Sequence, residues 1–242
     1  RGVRKGLPSE ALSAKIVPFG EMDIELLKKM AESMSIEDLL PLFEETPYEP
    51  VTGMVTTYEQ STSLLPIEAI LDKTLLEGMW NSVVSDSELS VLQDGLGARI
   101  DVLNLKIIFR AKRDRLLFSD IQSYIVAGGN LQKSVFETMV FDEVDEVGAL
   151  FSDLEATLFY KPLMEVLPQY EKDGSLALIE KVLDETALLV GKETSIKQPY
   201  GVAPILGYLS LKDCEIRNIR AISRAKEAGM VPEKIREFVL RV

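Results

Sequence analysis

The sequence of 242 residues contains no histidine and only one cysteine, Cys214. Histidine is the usual general base near neutral pH and the commonest metal ligand. Its absence excludes Ser-His and Cys-His nucleophile pairs and histidine-based zinc sites. A single cysteine cannot form an intrachain disulfide, which is typical of proteins from a reducing compartment. An enzyme built on this chain would therefore depend on carboxylates, lysine or arginine.

Positive charge is also scarce, because 39 acidic residues outnumber 27 basic ones and the net charge is −12. A general nucleic-acid binder needs a basic surface to displace counterions from phosphate, and a polybasic membrane protein needs one for anionic lipid. The composition argues against both classes. The sequence has no apolar run near the ~18 residues of a membrane-spanning helix, and it shows no signal peptide. Since it starts at Arg1 instead of Met, we expect a fragment or a trimmed chain.

Hydrophobic residues make up 46% of the chain, enough for a buried core in one large domain or two ordinary ones. They recur at the spacing of amphipathic helices, and no stretch alternates like a strand, so the predicted fold class is all-α. Helices are predicted over residues 23–32, 35–45, 66–84, 87–113, 117–124, 131–139, 143–158, 175–191, 202–228 and 232–242. Ser35 is a predicted N-cap and Gly229 a predicted helix terminator. Residues 51–63 are ambiguous, and their helical surroundings favour a helix.

One stretch occurs twice, from Asp101 to Lys112 and from Glu215 to Lys226. Each copy contains an acid, an asparagine and two basic residues at identical spacing, and the second basic residue opens a closing Arg-Ala-Lys. The matching positions are Asp101, Asn104, Lys106, Ile108, Arg110, Ala111 and Lys112 in the first copy, and Glu215, Asn218, Arg220, Ile222, Arg224, Ala225 and Lys226 in the second. One such match could arise by chance, but other segments repeat as well.

Three further segments recur 109 to 112 residues later in the chain, and the two asparagine stretches are 114 residues apart. The pairs are 16–20 with 125–129, 48–50 with 160–162, and 67–72 with 179–184. A period of this length indicates repeated helical units. We therefore predict two complete units, residues 1–113 and 114–242. Because Arg1 aligns with Arg110, we also expect the chain to begin at the tail of a preceding unit whose remainder is missing.

A helical wheel places Asn104 and Asn218 within apolar stripes. A buried asparagine must satisfy its amide, so we predict that each one determines where a neighbouring loop or helix end docks. Basic residues cluster on another face of each helix. The candidates for interaction or inter-repeat packing are Asn104, Lys106, Arg110, Lys112, Asn218, Arg217, Arg220, Arg224 and Lys226. The basic ones either pair within the chain, with acidic segments such as 142–146, or line a concave surface that grips a partner.

No catalytic, cofactor-binding or metal site is predicted. Residues 191–194 superficially resemble a phosphate-binding loop, but they lack the upstream glycine and a Ser or Thr directly after the lysine. They are predicted to lie at a helix end, where glycine is an ordinary terminator. The acidic segment 142–146 resembles the metal motif of all-helical diphosphate enzymes, which need a second acidic motif that this sequence lacks. A solvated helix start is the favoured interpretation. Cys214 is a predicted core residue, Trp80 is predicted to be a core residue or a helix-packing contact, and Gly128-Gly129 is a predicted turn.

The motif helices resemble a known family in their Asn-Leu-Lys or Asn-Ile-Arg centres and their closing Arg-Ala-Lys. The Gly-Gly turn at 128–129 and the ending Gly229-Met-Val-Pro-Glu-Lys-Ile-Arg236 are similar to the same family. The family is that of the C subunits of archaeal-type (A-type/V-type) rotary ATP synthases, related to the d subunits of vacuolar ATPases, and the resemblance spans essentially the full chain. It implies an entirely helical protein built from three similar units in a funnel, with the first unit missing or truncated here.

The resemblance further implies a non-catalytic central-stalk subunit. Such a protein caps the membrane proteolipid ring, receives the foot of the stalk and transmits torque between ion flow and ATP synthesis or hydrolysis. The implied partners are the stalk subunits and the proteolipid ring, without nucleic acid or cofactor. The implied location is peripheral, at the cytoplasmic face of the cell membrane. The alternatives are a generic helical-repeat scaffold in another complex and an all-helical Mg²⁺ enzyme that uses Asp142 and Asp145.

Overall fold

Helices are the regular secondary structure of the residues described by a computed structural model, which are 2–17, 20, 22–141, 147–197 and 199–241. No β-strand occurs among these residues, so the predicted all-α fold class is confirmed. The chain divides into two compact units, Arg1–Leu76 and Glu77–Val242. These two units are defined by the compactness of the fold. The boundary between residues 113 and 114 was instead predicted from sequence similarity, and it stays a prediction about the repeat.

The first unit is built from short helices. Its α-helices are α1 (Ser9–Ser13), α2 (Ile24–Glu32), α3 (Ile36–Leu39), α4 (Val55–Ser61) and the first half of α5 (Leu65–Ser85), and its 3₁₀ helices are Val3–Lys5, Leu40–Phe43 and Glu49–Met54. The predicted N-cap is confirmed, because the Ser35 hydroxyl accepts a hydrogen bond from the Asp38 N–H at 3.1 Å. The helical interpretation of residues 51–63 is confirmed by α4 and the 3₁₀ turn before it. Leu40 and Val51 are the most deeply buried apolar residues here.

The second unit contains the long helices. Its α-helices are the end of α5, α6 (Gln93–Arg113), α7 (Phe118–Ile121), α8 (Lys133–Phe141), α9 (Tyr160–Asp173), α10 (Leu176–Lys197), α11 (Ala203–Glu227) and α12 (Pro232–Phe238), and its 3₁₀ helices are Ser90–Leu92, Gln122–Tyr124 and Val147–Leu154. Helix α10 is central, because it packs against α6, α9, α11 and α12. Helix α6 is enclosed by α8 and α10, so the first asparagine stretch lies in the core of this unit.

The core of the second unit forms around α6. Its residues Val102, Leu105 and Phe109 are at most 4% exposed and belong to one cluster with apolar residues of α8, α9 and α10. The rings of Phe109 and Phe151 lie 5.6 Å apart in a tilted arrangement. Removing a large apolar side chain of this kind from water contributes roughly 1.5–3 kcal/mol. The motif helix is therefore a main source of stability in this unit.

The structure differs from the predicted helices in four places. Helix α9 was not predicted; Pro162 lies in its first turn, where no intrahelical N–H bond is required. The long helix predicted to begin near residue 87 is preceded by a separate 3₁₀ turn, so α6 starts at Gln93. The helix predicted over 143–158 is a 3₁₀ helix over Val147–Leu154 in the described part. Helix α12 ends at Phe238 instead of running on to residue 242.

Candidate functional site

Asn104 on α6 holds a distant piece of main chain through two hydrogen bonds. Its Nδ2 donates to the Val126 carbonyl at 2.9 Å, and the Val126 N–H donates to its Oδ1 at 2.9 Å. Asn104 is fully buried and Val126 is only 2% exposed. The amide therefore pairs both polar groups of a buried residue that belongs to no helix, at a point 22 residues further along the chain.

Two carboxylates extend this contact. Glu77 of α5 accepts a hydrogen bond from the Ala127 N–H at 2.7 Å. Asp101, one turn before Asn104, accepts from the Asn130 N–H at 3.0 Å and from the Leu131 N–H at 3.2 Å. We call this set of contacts, made by Glu77, Asp101 and Asn104 to residues 126–131, the first clamp. Sequence analysis assigned no role to either carboxylate, although Asp101 was visible as the matching acid of the motif.

Burial raises the pKa of Asp101 to about 6, against the opposing effect of the two backbone hydrogen bonds from Leu131 and Asn130. The Asp101 side chain is fully enclosed, with no lysine or arginine among the causes of its pKa shift. Desolvation therefore outweighs the two hydrogen bonds that favour the ionised form. The first clamp contains a buried carboxyl group that titrates near neutral pH.

The turn held by the first clamp needs glycine at two positions. Gly128 and Gly129 have φ of +105° and +100°, which L side chains rarely adopt. A Cβ on Gly128 would lie 2.5 Å from the Trp80 ring, and one on Gly129 would lie 2.2 Å from Asp101 Oδ1. The structure thus places Gly128-Gly129 outside any helix, as a close contact against α5 and α6.

A second clamp on α11 repeats the asparagine and glutamate contacts of the first, while Glu215, the match of Asp101, pairs with Lys212. Asn218 Nδ2 donates to the Leu240 carbonyl at 3.0 Å, and the Leu240 N–H donates to Asn218 Oδ1 at 2.8 Å. The span is again 22 residues. Glu185 of α10 accepts from the Arg241 N–H at 2.7 Å, as Glu77 of α5 does from Ala127. These bonds engage the backbone of Leu240 and Arg241, which accounts for the end of α12 at Phe238.

Three chain reversals in the described residues share one geometry. Gly6, Arg115 and Gly229 all have left-handed φ values, of +63°, +55° and +70°. The next residue in each case donates a hydrogen bond to the carbonyl five positions earlier: Leu7 to Gly2 at 3.2 Å, Leu116 to Ala111 at 2.9 Å, and Met230 to Ala225 at 2.9 Å. This is the pattern of a helix end closed by a left-handed residue. It confirms Gly229 as the terminator of α11.

The basic residues of the first motif copy face α10. Lys106 Nζ lies 2.6 Å from Asp184 Oδ1, and Arg110 makes a bidentate pair with Glu180, with both contacts at 2.7 Å. Glu180 accordingly raises the pKa of the Arg110 guanidinium, mainly through the hydrogen bonds. Lys112 is half-buried on the same helix. The acidic segment 142–146, offered above as a pairing partner, lies outside the described residues.

The basic residues of the second copy are placed differently. Arg217 pairs with Asp213 on its own helix. Arg220, Arg224 and Lys226 are exposed, and among the described residues no ion pair forms at Arg220 or Arg224. The asparagines of the two copies thus make equivalent hydrogen bonds, whereas the basic side chains of the two copies have different neighbours.

The segment 191–194 is not a helix end as predicted, because α10 continues through it to Lys197. Gly191 instead lies where α10 meets α6, since a Cβ on Gly95 would be 3.6 Å from its Cα. In the described part of the chain, no group of three metal-ligating side chains comes together. Within that same part, no helix combines the length and the apolar character needed to cross a membrane.

Comparison with known proteins gives a consistent result. Residues 1–238 match the family model described as ATP synthase (C/AC39) subunit. The chain is 36% identical over 231 residues to the A-type ATP synthase C subunit of Methanothermobacter thermautotrophicus, covering 94% of this chain and 60% of that protein. It is 34% identical to the protein of the same name from Methanobrevibacter smithii and 30% identical to that from Methanocaldococcus jannaschii. Those matches cover 97% of this chain and 62% and 59% of the relatives. The chain therefore spans about three fifths of the length of these relatives.

Proposed function

The chain belongs to the ATP synthase (C/AC39) subunit family, and on that premise we propose that it is a non-catalytic central-stalk subunit of an A/V-type ATP synthase. In this role it couples the rotating stalk to the membrane proteolipid ring during ion-driven ATP synthesis or ATP-driven ion pumping. Its partners are the stalk subunits and the ring. It acts as a peripheral protein at the cytoplasmic face of the membrane, and it needs no cofactor or nucleic acid.

The observation that carries this proposal, beyond the family match, is the doubled clamp. A subunit that transmits torque between two partners must resist deformation, and side-chain hydrogen bonds that satisfy main-chain groups, buried in the first clamp and half-buried in the second, rigidify a fold. Each clamp joins two long helices to a segment 22 residues beyond its asparagine. The hydrogen bonds of the clamps thereby link α5 to α6 and α10 to α11. A rigid arrangement of this kind suits a subunit that transmits torque through its shape.

The candidate residues take two roles in this proposal. Lys106, Arg110 and Asn104 of α6 join unit 1–113 to unit 114–242 through Asp184, Glu180 and Val126, and Lys112 on the same helix takes the same packing role. Asn218 joins α11 to Leu240 within unit 114–242. The basic residues of α11 are available to partners, since they are exposed and those at 220 and 224 lack ion pairs in the described structure. The four are Arg217, Arg220, Arg224 and Lys226.

Co-purification from the source membranes tests the proposal. A tagged chain, extracted in mild detergent, is expected to retain both the stalk subunits and the proteolipid ring. Loss of the chain should leave ATP hydrolysis by the catalytic head but abolish the ion pumping that depends on it, because only the coupling element is removed. Mass spectrometry of the captured complex and an ion-uptake assay on vesicles provide the two readouts.

Stable assembly of the chain in a complex that contains neither the stalk nor the ring would overturn the proposal and favour a scaffold elsewhere. A chain variant with Lys161→Glu, an exposed change on α9, serves as the control for nonspecific loss of assembly. If loss of the chain left ion pumping intact, the coupling role would be wrong even though the family assignment stands.

A further inference from the structure

Asp101 is a fully buried carboxyl group that has no cation beside it. Among the described residues it accepts hydrogen bonds from the N–H groups of Asn130 and Leu131, at 3.0 and 3.2 Å, and it forms no ion pair. An ionised carboxylate in such a place loses its hydration, which two neutral N–H donors replace only in part. Burial therefore makes this group hold its proton more tightly than an aspartate in water does.

The cover over Asp101 is the turn at residues 126–131. Gly129 lies directly on the carboxyl group, since a Cβ there would be 2.2 Å from Asp101 Oδ1. Gly128 lies against Trp80 in the same way, with a Cβ-to-ring distance of 2.5 Å. Movement of this turn away from α6 would let water reach the carboxyl group. The protonation of Asp101 is therefore linked to the docking of the turn.

The turn has little apolar surface to hold it in place. Residues 127–130 are Ala-Gly-Gly-Asn, without a large apolar side chain, and three of the four are exposed. Between its ends at Val126 and Leu131, the turn is held by hydrogen bonds to Glu77, to Asp101 and to the Asp94 carbonyl. Segments with few buried apolar contacts open at a lower free energy than the core. A change of charge at Asp101 therefore acts on a weakly held segment.

The pKa of Asp101 is determined by its burial and not by a charged neighbour. Its burial raises the pKa to about 6, and the hydrogen bonds from Leu131 and Asn130 oppose the shift without cancelling it. No charged group is among the causes, although every element around the site carries some. These groups are Glu77 on α5, Asp94, Arg99 and Lys106 on α6, Asp120 on α7, Lys133 and Glu137 on α8, Asp153 on the 3₁₀ helix Val147–Leu154, and Glu180, Lys181, Asp184, Glu185, Lys192 and Glu193 on α10.

We propose that the first clamp is a pH-dependent latch, which holds the turn at residues 126–131 on α5 and α6 more tightly when Asp101 is protonated than when it is ionised. In the opened turn Asp101 is solvated and titrates like an ordinary aspartate, with a pKa of about 3.9. The docked form binds the proton more tightly, so acid favours docking, and this advantage is lost as the pH rises through about 6. Between pH 5 and 7.5 the equilibrium constant for opening should rise about tenfold.

The latch acts between the two predicted repeats. Helix α6 belongs to unit 1–113 and the turn to unit 114–242, so their connection is stiffer in acid than at neutral pH. The second clamp lacks this property, because Glu215, the match of Asp101, is exposed and pairs with Lys212 at 2.6 Å. The inference rests on contacts within this chain and holds whichever complex the chain belongs to.

Hydrogen exchange of single amides, measured by NMR on the full chain, tests the latch. The rate for an unprotected amide at the same pH, divided by the measured rate, gives the protection of each N–H group. Protection at Asn130 and Leu131 is expected to fall about tenfold between pH 5 and 7.5. It should also be at least about tenfold lower than at Phe109 in the core of α6, because the turn opens without unfolding of the helix.

Two variants make the test specific. Asp101→Asn removes the titration and keeps an acceptor, since one amide oxygen can accept from both N–H groups, as Asp101 Oδ2 does. Protection at Asn130 and Leu131 should then stay within about twofold over the same pH range. Asp94→Asn makes the same change at an exposed position of α6, and it should keep the tenfold fall of the unmodified chain.

Protection at Asn130 and Leu131 that stays constant with pH in the unmodified chain would overturn the latch, as would a fall that persists in Asp101→Asn. Equal protection at these amides and at Phe109 would overturn it too, because the turn would then open only when the helices unfold. Should Asp101→Asn lose its helical circular dichroism, the two clamps of the unmodified chain are compared instead. Constant protection at Leu240 and Arg241 beside a tenfold fall at residues 130 and 131 supports the latch, and a parallel fall contradicts it.

Discussion

Two asparagine side chains in this protein make the main-chain hydrogen bonds that helices make elsewhere in the fold. Val126 and Leu240 lie outside the helices, so their N–H and C=O groups find no helical partner. Asn104 and Asn218 supply a donor and an acceptor from one amide and satisfy both groups. An asparagine is suited to this because its amide mimics a peptide group. Burial differs between the two sites, since Asn104 is fully enclosed and Asn218 is half-buried.

Replacing Asn104 by alanine is expected to reduce the free energy of unfolding by about 3 kcal/mol, because the buried N–H and C=O of Val126 each lose their partner. The matched change Asn218→Ala should cost about 1 kcal/mol, since water can reach that site. Urea denaturation followed by circular dichroism measures both. Equal losses at the two sites would contradict the assignment of the difference to burial.

Asp101 makes the stability depend on pH. Its pKa in the folded protein is raised to about 6, above the value of an unfolded aspartate, so the folded state binds the proton more tightly. The stability this group contributes is therefore fully present at low pH and falls as the pH rises towards 6. Between pH 5 and 7.5 the unmodified chain should lose about 1.4 kcal/mol relative to Asp101→Asn, the equivalent of one pKa unit.

The comparison with Asp101→Asn isolates this group from carboxyl groups whose pKa is lowered by folding, which respond to pH in the opposite sense. The pKa of Asp173, for example, is lowered, chiefly by the hydrogen bond from the Ser175 N–H. Its stabilising effect is lost on acidification in both chains alike and cancels in the difference. Denaturation curves at several pH values supply the measurement. A difference that stays constant with pH would show that Asp101 keeps an ordinary pKa.

At the scale of elements, the structure depends on how closely helices and turns approach. The turn at residues 127–131 meets α5 through Trp80 and α6 through Asp101, at distances that only glycine permits. Helices α10 and α11 likewise approach at Gly207, where a Cβ would be 2.5 Å from that of Ser195. Glycine lacks a Cβ, so at these positions it lets the neighbouring elements pack closely, although it loses more conformational freedom on folding than other residues.

Gly129→Ala is expected to destabilise the protein by about 3 kcal/mol, because it combines a strained φ with a clash against Asp101. Gly78→Ala in the interior of α5 is the opposite case, since no atom lies within 4 Å of its added Cβ. It should stabilise the helix by up to about 1 kcal/mol. Thermal denaturation of the two variants checks both signs. A neutral Gly129→Ala would mean that the turn does not dock as described.

The contact between α6 and α10 is tested by double-mutant cycles on its two ion pairs. Lys106 and Asp184 are 17% and 27% exposed as side chains, so their coupling should be about 1 kcal/mol. Arg110 is 56% exposed, and its coupling to Glu180 should be smaller, about 0.5 kcal/mol, and more sensitive to salt. The measured quantity is the non-additivity of the alanine variants in unfolding free energy. A larger coupling at the Arg110 pair would contradict this order.

At the scale of the whole molecule, the charge is strongly acidic, at −12, while basic residues gather on the motif helices. On α6, Lys106 and Arg110 are paired with Asp184 and Glu180 of α10, whereas Arg220 and Arg224 of α11 are exposed on an acidic background. A surface of this kind attracts acidic partners while the rest of the chain repels them. The charge distribution thus favours partners that present acidic residues to α11, and the proposed partners of this chain are other subunits.

Assembly through the exposed basic residues of α11 should weaken as salt is added, because exposed charge pairs are screened. The amount of partner protein that co-purifies with the tagged chain is therefore expected to fall with rising salt. The charge reversal R220E/R224E should bind less at low salt and show little further dependence, whereas K161E/K172E, which makes the same change of charge on α9, should follow the unmodified chain. Identical salt profiles for all three would place the contact elsewhere on the molecule.

The helical class, the doubled stretch and the position of each asparagine in an apolar stripe follow from the order of the residues alone. These features are local, because helical spacing and capping depend on residues only a few positions apart. The Ser35 cap and the Gly229 terminator were predictable for the same reason. Helix α9 was missed because proline is ambiguous between a helix break and a first turn, and α12 was predicted too long because Leu240 and Arg241 are held by other helices.

Only the tertiary structure decided which groups meet across the chain. Lys106 and Asp184 are 78 residues apart, and Glu77 and Ala127 are 50 apart, so no local pattern couples them. The same holds for the burial of Asp101, since desolvation depends on every element packed around a carboxyl group. It also holds for the contrast between the two copies of the doubled stretch. Their residues nearly match, but α6 is enclosed and the outer side of α11 is exposed. The exposure of a side chain depends on which elements pack against its helix, and the sequence of the helix does not specify this.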